Sequence, residues 1–372
     1  MKKFDPKEPY NDLPLLPPIV ELETKTILRK VASARAALAE MKGMGEIIPN
    51  QAMLVNSLTL CEAKDSSEIE NIVTTRDELF IAFATQHKNI SPQIKEVLNY
   101  RSGLWHGYNL IKEKGFMSVN VIIDLHEKII NNDAGIRKFP GTALKNSRTG
   151  EIVYTPPTGE INIKKKLSNL ETYINIDDDV IDALIKMAII HYQFESIHPF
   201  YDGNGRVGRI INILYLVMKG LLDIPILYLS SYIIKRKPDY YKLLSEVRFD
   251  DRGWEKWILF LLDGVEQTAK QTSLLIKEIK KLLDETIEKV KSELPSIYSK
   301  ELVETLFEHP YCKVSFLVEK GLYERRTAMK NLNHLEKIGI LRSIKRGKQK
   351  LFLNTTLFEL FKDETFTSTI DN

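Results

Sequence analysis

The chain has 372 residues, 43% of them hydrophobic, which is enough for two or three domains with ordinary cores. Its 53 Lys and Arg against 50 Asp and Glu leave a net charge of +3, so no global field favours nucleic acid and any such argument must rest on a local patch. Two distant cysteines, Cys61 and Cys312, and a start without an apolar run imply a reduced, cytoplasmic protein; the longest apolar stretch, residues 210–218, is far short of the roughly 20 residues of a membrane span.

Residues 1–19 hold five prolines and read as an extended arm. Residues 21–44 have the period of a helix, with Ile27, Val31, Ala34, Leu38 and Met41 on one side and Gly43 and Gly45 at the end. A second helix is expected over 50–62. Beyond it, Ser66 suits the cap of a further short helix whose first turn carries Glu68 and Glu70, followed by Asn71. By itself this segment reads as a capped, solvated turn. Residues 92–115 and 121–130 are expected to form two more helices, and His106 and His126 within them lack ligand spacing and read as structural. Residues 136–159 break the helical pattern. Short strand-like runs at 142–144 and 151–154 flank the polar turn 146–150, which makes a hairpin. Two strands are marginal alone, so the hairpin should lean on the helical body and offer an edge to an incoming peptide.

The centre of the chain carries the most chemistry. Residues 177–191 read as a helix with an acidic first turn, and 206–222 as another. Between them runs HPFYDGNGRVGR, residues 198–209. Pro199 discourages a regular helix through His198. Gly203 and Gly205, on either side of Asn204, free successive N–H groups to face an anion at the N-terminus of the next helix. Arg206 and Arg209 are three apart on one face and could both reach an oligophosphate. Asp202 suits Mg²⁺, which takes a carboxylate together with substrate phosphate oxygens. His198, with an ordinary pKa of about 6.5, is a candidate base. Phe200 reads as a core anchor and Asn204 as an orienting group. Together these residues suit attack by a side-chain hydroxyl on a nucleotide phosphorus.

Residues 220–229 and 232–244 continue the helical body, with Lys235, Lys237 and Tyr240 near the mouth of the site. Residues 254–290 read as one or two long amphipathic helices that link domains or join a dimer. Helical patterns at 299–307, 315–319 and 324–338 precede a basic-tipped hairpin at 340–353, an order that resembles the winged helix-turn-helix family. Arg325, Arg326, Lys330, Arg342, Lys345, Arg346, Lys348 and Lys350 could then meet DNA phosphates, with a protein-interaction or dimerisation role as the alternative.

The run from His198 to Arg209 resembles the complete signature of the Fic (filamentation induced by cAMP) family, His-x-Phe-x-Asp/Glu-Gly-Asn-Gly-Arg-x-x-Arg. The resemblance implies a mostly helical fold that transfers AMP from ATP to a Ser, Thr or Tyr hydroxyl of a target protein. It implies His198 as general base and Asp202 as the Mg²⁺ ligand. Gly203, Asn204 and Gly205 would form the anion hole, Arg206 would contact phosphate and Arg209 the γ-phosphate, with residues 142–155 as the target-binding flap. Ser66, Glu70 and Asn71 match the family's inhibitory motif, Ser/Thr-x-x-x-Glu-Gly/Asn, which implies that Glu70 restrains the enzyme through Arg209. The expected fold class is mainly α: a Fic helical core with a small β-hairpin flap, plus a C-terminal winged-helix-like domain. The expected units are an N-terminal helical region over 1–115, a catalytic core over 116–265, a linker helix over 266–294 and the winged-helix-like domain over 295–360. A homodimer, with a DNA or protein partner at the C-terminal domain and no membrane, completes the expectation. Two alternatives share the site: Glu70-dependent removal of AMP from a modified protein, and a DNA-binding regulator that senses nucleotide.

Overall fold

The computed structural model describes residues 4–362 apart from 86–89, 147–148, 177–180 and 347–348. Residues 4–24 form no helix or strand, yet they are anchored, because Leu13 and Leu16 are buried and Leu16 N donates to Asn169 Oδ1 at 2.8 Å. Helix α1 (Lys25–Glu46) starts where Thr24 Oγ1 accepts from Ile27 N. Helix α2 (Ala52–Ile69) runs straight through the segment expected to hold a separate short helix. Ser66 is therefore no N-cap: it lies buried in the last turn, and Glu70 is the C-cap. Nothing between 52 and 69 is Gly or Pro, and Ala63, Ser66 and Ser67 are small enough to let the helix continue into the core.

Helix α3 (Arg76–Thr85) follows, then α4 (Pro92–Lys114), capped by Ser91 and closed by left-handed Gly115, and α5 (Val119–Ile130). Strands β1 (Leu144–Lys145) and β2 (Ile152–Tyr154) form the expected antiparallel hairpin, pairing Leu144 with Tyr154; part of its turn, 147–148, lies outside the described residues. Helix α6 (Glu160–Asn175) and α3 were not anticipated. The apolar run of α3, Leu79 to Ala84, has no one-sided period, and the lysines at 164–166 mask the buried stripe of Ile163, Leu167, Leu170 and Ile174 on α6.

Helix α7 (Ala183–Ile197) and helix α8 (Asn204–Met218) form the buried centre. The first residues of the expected 177–191 helix lie outside the described ones, and α7 begins later and ends later, with Asp182 Oδ1 accepting from Leu184 N at 2.8 Å. Its described first turn is not acidic; Asp182 acts as the cap instead. Short helices α9 (Ser230–Lys235) and α10 (Lys237–Phe249) lead into α11 (Gly253–Glu293), a single 41-residue helix about 60 Å long at 1.5 Å per residue. Of residues 266–294, expected as a linker helix, 266–293 are continuous with the part of α11 that lies along α1, where Lys30 Nζ bridges Asp263 at 2.5 Å and Glu266 at 2.8 Å.

The C-terminal unit comprises α12 (Lys300–Glu308), β3 (Tyr311–Cys312), α13 (Val314–Glu319), α14 (Arg325–Lys337), β4 (Arg342–Arg346), β5 (Gln349–Leu353) and α15 (Thr355–Lys362). Its strands form an antiparallel sheet in the order β3-β5-β4. The two-residue β3 is too short to show alternation in sequence and gains its pairing only when Tyr311 meets Leu353. The fold is mainly α with two small antiparallel sheets, as expected. No described helix is long and apolar enough to cross a membrane.

Helix α4 crosses the centre through small residues. A Cβ at Gly107 would lie 2.5 Å from Leu214 Cδ1 and 2.6 Å from Leu125 Cδ2. Gly107→Ala is therefore expected to lower stability by about 1–3 kcal/mol through overpacking. Thermal or denaturant unfolding checks this, and a variant as stable as the wild type would contradict the close packing.

Candidate active site

The site is built on the break between α7 and α8. His198 caps α7 in the left-handed region, φ 48° and ψ 60°, and its N–H closes the helix on Phe194 O at 3.0 Å. The loop beyond is fastened at each step. Asn204 Oδ1 accepts from Phe200 N and Asn204 Nδ2 donates to Phe200 O, both at 2.9 Å, so this side chain orients backbone. Phe200 is fully buried and stacks on His126 with ring centroids 3.8 Å apart, while His126 Nε2 lies 3.0 Å from Asp202 O. His126 is thus structural, as the sequence suggested, but what it supports is this loop.

Gly203 has φ 78°, and a Cβ there would come within 2.8 Å of Ile130 Cγ1, so the position needs glycine twice over. Gly203 N donates to Asp202 Oδ1 at 2.6 Å, and the Asp202 side chain is exposed. Asn204 begins α8, whose first N–H groups have no partners within the helix and whose dipole favours an anion at that end. The Glu70 carboxylate lies beside Gly205. A Cβ at Gly205 would collide with Glu70 Oε1 and lie 2.9 Å from Arg209 Nη1.

Arg209 is buried and bonded through two of its nitrogens: Nε donates to Ser66 Oγ at 2.7 Å, and Nη2 to Ser66 O at 2.8 Å and Glu70 Oε1 at 2.9 Å. Arg206, expected to share a target with Arg209, turns to other partners. Its Nη1 meets Glu96 Oε2 at 2.9 Å, and its Nη2 lies 3.5 Å from Asp202 Oδ2. Asn71 adopts φ 64° and accepts from Lys237 Nζ at 3.1 Å, which places Lys237 near the site. Tyr240 lies behind it, its hydroxyl 2.8 Å from His191 Nε2.

Residues 28–109 match the Fic/DOC family N-terminal model, 116–216 the Fic/DOC family model, and 282–357 the model of the C-terminal domain of SoFic-like protein adenylyltransferases. The chain belongs to the Fic/DOC family. It is 29% identical over 188 residues to a probable protein adenylyltransferase of Aquifex aeolicus, covering 48% of this chain and 53% of that one. With a protein adenylyltransferase of Caenorhabditis elegans it shares 24% over 143 residues, covering 38% of this chain and 26% of that one. It thus spans about half or less of the length of these curated relatives. A crystal structure of a Fic family protein from Desulfovibrio desulfuricans has the same fold, with a TM-score of 0.58 and 19% identity over 91% of this chain and 98% of that one.

Charge in this Fic site is set by burial and by Arg209. Burial works against ionisation of Glu70, but Arg209, and behind it Arg206 and His198, outweigh it and hold the carboxyl below its usual range. Burial, reinforced by Arg137, pushes His198 down to about 4, leaving a neutral imidazole at cellular pH. Burial also pushes Glu195 up to about 7, and its buried Oε1 has no hydrogen-bond partner.

Four residues of the site escaped sequence reasoning in this role: Glu96, His126, Arg137 and Glu195. Of these, only Glu195 lies near the signature run in the chain; the others join it by folding. In the C-terminal unit Arg325, Arg326, Lys330, Arg342 and Lys345 are exposed. Arg346 lies 3.6 Å from Asp77 Oδ2 and Lys350 3.4 Å from Glu336 Oε2, and Lys348 is outside the described residues.

The Glu70–Arg209 pair carries a stability signature. A carboxyl with a lowered folded pKa stabilises above its unfolded pKa and loses that contribution as pH falls through the folded value. Glu70→Gln should therefore unfold more readily than the wild type at pH 7, and the gap should narrow below about pH 4. Melting temperatures across pH test this; a gap that stays constant would show that the carboxylate charge does not stabilise the fold.

Proposed function

We propose that this chain is a protein adenylyltransferase, transferring AMP from ATP to a side-chain hydroxyl of a target protein, and that Glu70 restrains it. What supports the reading is that His198, Asp202 and the glycine-framed N-terminus of α8 lie on one turn between two buried helices, with Arg209 in the second turn of α8 paired to Glu70. Relatives named protein adenylyltransferases over the same region support it.

In this reading His198 Nε2 or Nδ1, neutral at cellular pH, takes the proton of the target hydroxyl as its oxygen attacks the α-phosphorus. The bond from that phosphorus to the bridging oxygen breaks and pyrophosphate leaves. The N–H groups at the start of α8 hold the developing negative charge, and Arg206 and Arg209 bind phosphate oxygens. Among the described residues no three His, Cys, Asp or Glu side chains cluster to form a protein-only metal cage. A single accessible carboxylate at Asp202 nevertheless fits Mg²⁺, which is usually held by one or two carboxylates with substrate phosphates; bound there it would neutralise phosphate charge. The β1–β2 hairpin would hold the target segment by its edge.

Glu70 occupies the anion cradle and pairs with Arg209, so a third phosphate and this carboxylate compete for one cation. Removing the carboxylate should free the cradle. Glu70→Gly is expected to raise incorporation of labelled AMP, into itself or into proteins of a lysate followed by mass spectrometry, by about tenfold or more, a change of roughly 1.4 kcal/mol. His198→Ala in that background should lose transfer while ATP binding persists. Equal incorporation by the wild type and Glu70→Gly would remove the restraint from the reading, and full activity in His198→Ala would remove the base.

The ionised Glu70 beside His198 also suits positioning a water, so removal of AMP from a pre-modified target is the second reading. Release of AMP that depends on Glu70 would favour it.

A further inference from the structure

Arg137 is fully buried, and among the described residues it makes no ion pair. Its Nε and Nη2 donate to backbone carbonyls instead, and its buried Nη1 has no hydrogen-bond partner among the described residues. Nε meets His198 O at 2.7 Å, and Nη2 meets Ile197 O at 3.3 Å and also Pro157 O. Its own N–H donates to Pro199 O at 2.9 Å. Three consecutive carbonyls at the end of α7 are thus fixed by one residue, which also ties them to the segment leaving the hairpin. A buried guanidinium without a carboxylate is costly, and what it secures is the left-handed turn on which His198 is mounted.

The geometry points to Arg137 as a positioning residue for His198, setting its backbone and holding the imidazole in register with the α8 cradle. This rests on the proposed transfer reaction. The groups that act on the imidazole are Arg137, Arg248, Glu70 and the carbonyl of Glu195, with Arg137 the leading cation. Removing its charge should let the imidazole titrate higher.

The test compares Arg137→Lys and Arg137→Gln, each in Glu70→Gly full-length protein, by rate against pH. Arg137→Gln should lose about tenfold or more in kcat with KM for ATP nearly unchanged, and its acid limb should move to higher pH. Arg137→Lys should recover part of kcat and keep the parent's acid limb. An unmoved acid limb in Arg137→Gln, or a loss confined to KM, would overturn the assignment. A parent without transfer would overturn the reaction itself, and titration of His198 by NMR in the same variants would still decide the positioning role.

A separate set of contacts concerns the restraint. The C-terminal unit grips the helices on both sides of Glu70. Just before α2, Asn50 Nδ2 donates to Glu308 Oε1 at 2.6 Å, and on α2 Asn56 Nδ2 donates to Glu308 O at 3.3 Å. On α3, Asp77 accepts from Tyr311 OH and lies 3.6 Å from Arg346 Nη2, Arg76 donates to Phe361 O, and Phe80 packs on Phe358 and Phe361 at 5.5 and 5.8 Å. We infer that the C-terminal unit sets the position of the 70–75 segment and so keeps Glu70 on Arg209. This too rests on the reading above.

Tyr311→Phe and Asp77→Asn in the full chain should each raise AMP transfer about fivefold, with no further gain once Glu70 is glycine. Backbone amide exchange across 70–76 should quicken in both. Unchanged transfer in these variants while Glu70→Gly is active, or unchanged exchange, would overturn the coupling. Inactivity of Glu70→Gly would count against the reaction, and exchange would still decide the coupling.

Discussion

Arg209 is a buried guanidinium whose charge is paired, and that pairing ties together two elements far apart in the chain. Taking it out of water costs several kcal/mol unless its donors and its charge are matched. Ser66 matches two donors, through Oγ and the carbonyl, and Glu70 supplies the charge. Both come from the end of α2, far from α8 in sequence, so the packing of α2 against α8 and the electrostatics of the site are one constraint. An anion entering the cradle meets a cation already neutralised. It must supply to Arg209 at least what Glu70 supplies, or the exchange is uphill.

The second constraint is the turn from α7 to α8. Two helices nearly buried along their whole length must reverse within six residues, and the loop has little freedom. His198 takes the left-handed conformation, Gly203 takes it again at φ 78°, and Asn204 closes the loop on Phe200. The result mounts His198 at one end of the turn and the N-terminus of α8 at the other. Burial, with Arg137 beside it, then keeps the imidazole neutral, so the packing that holds the base also sets its protonation.

The signature run stood out because it is compressed. His198, Asp202, Gly203, Asn204, Gly205, Arg206 and Arg209 fall at one helix entrance, where each residue type has a physical meaning that depends little on the rest of the fold. Long one-sided periods such as α1, α4 and α5 were legible for the same local reason. What failed was nonlocal. Ser66 looked like a cap because polar residues near acidic ones usually are; it is a buried acceptor because Arg209 arrives from 143 residues away. Arg137 carries no signal in the sequence, since nothing near it in the chain reveals that three carbonyls at the end of α7 will need a donor. The helix α6 hid behind its lysines, one of which, Lys166, is buried and bonds to Leu13 O at 2.8 Å.

The elements around Glu70 decide which part of the molecule can give way. The body of α2 is fixed by Glu62, whose carboxylate accepts from Tyr100 OH at 3.0 Å and from Ser230 N at 2.9 Å, and which burial pushes up to about 7. A helix pinned there cannot slide without leaving buried polar groups unmatched, at a cost of about 1–3 kcal/mol each. Beyond Ile69 the situation changes. Residues 70–75 are not helical, Asn71 already sits at φ 64°, and the Glu70 side chain is one-third exposed. The soft coordinate is therefore a hinge between α2 and α3 that swings the carboxylate, not withdrawal of the helix. Its far side is α3, and α3 is held by Tyr311, Arg346 and the Phe358–Phe361 pair. In the proposed coupling, the stiffness of this hinge depends on the C-terminal unit as well as on Lys237, which bonds Asn71.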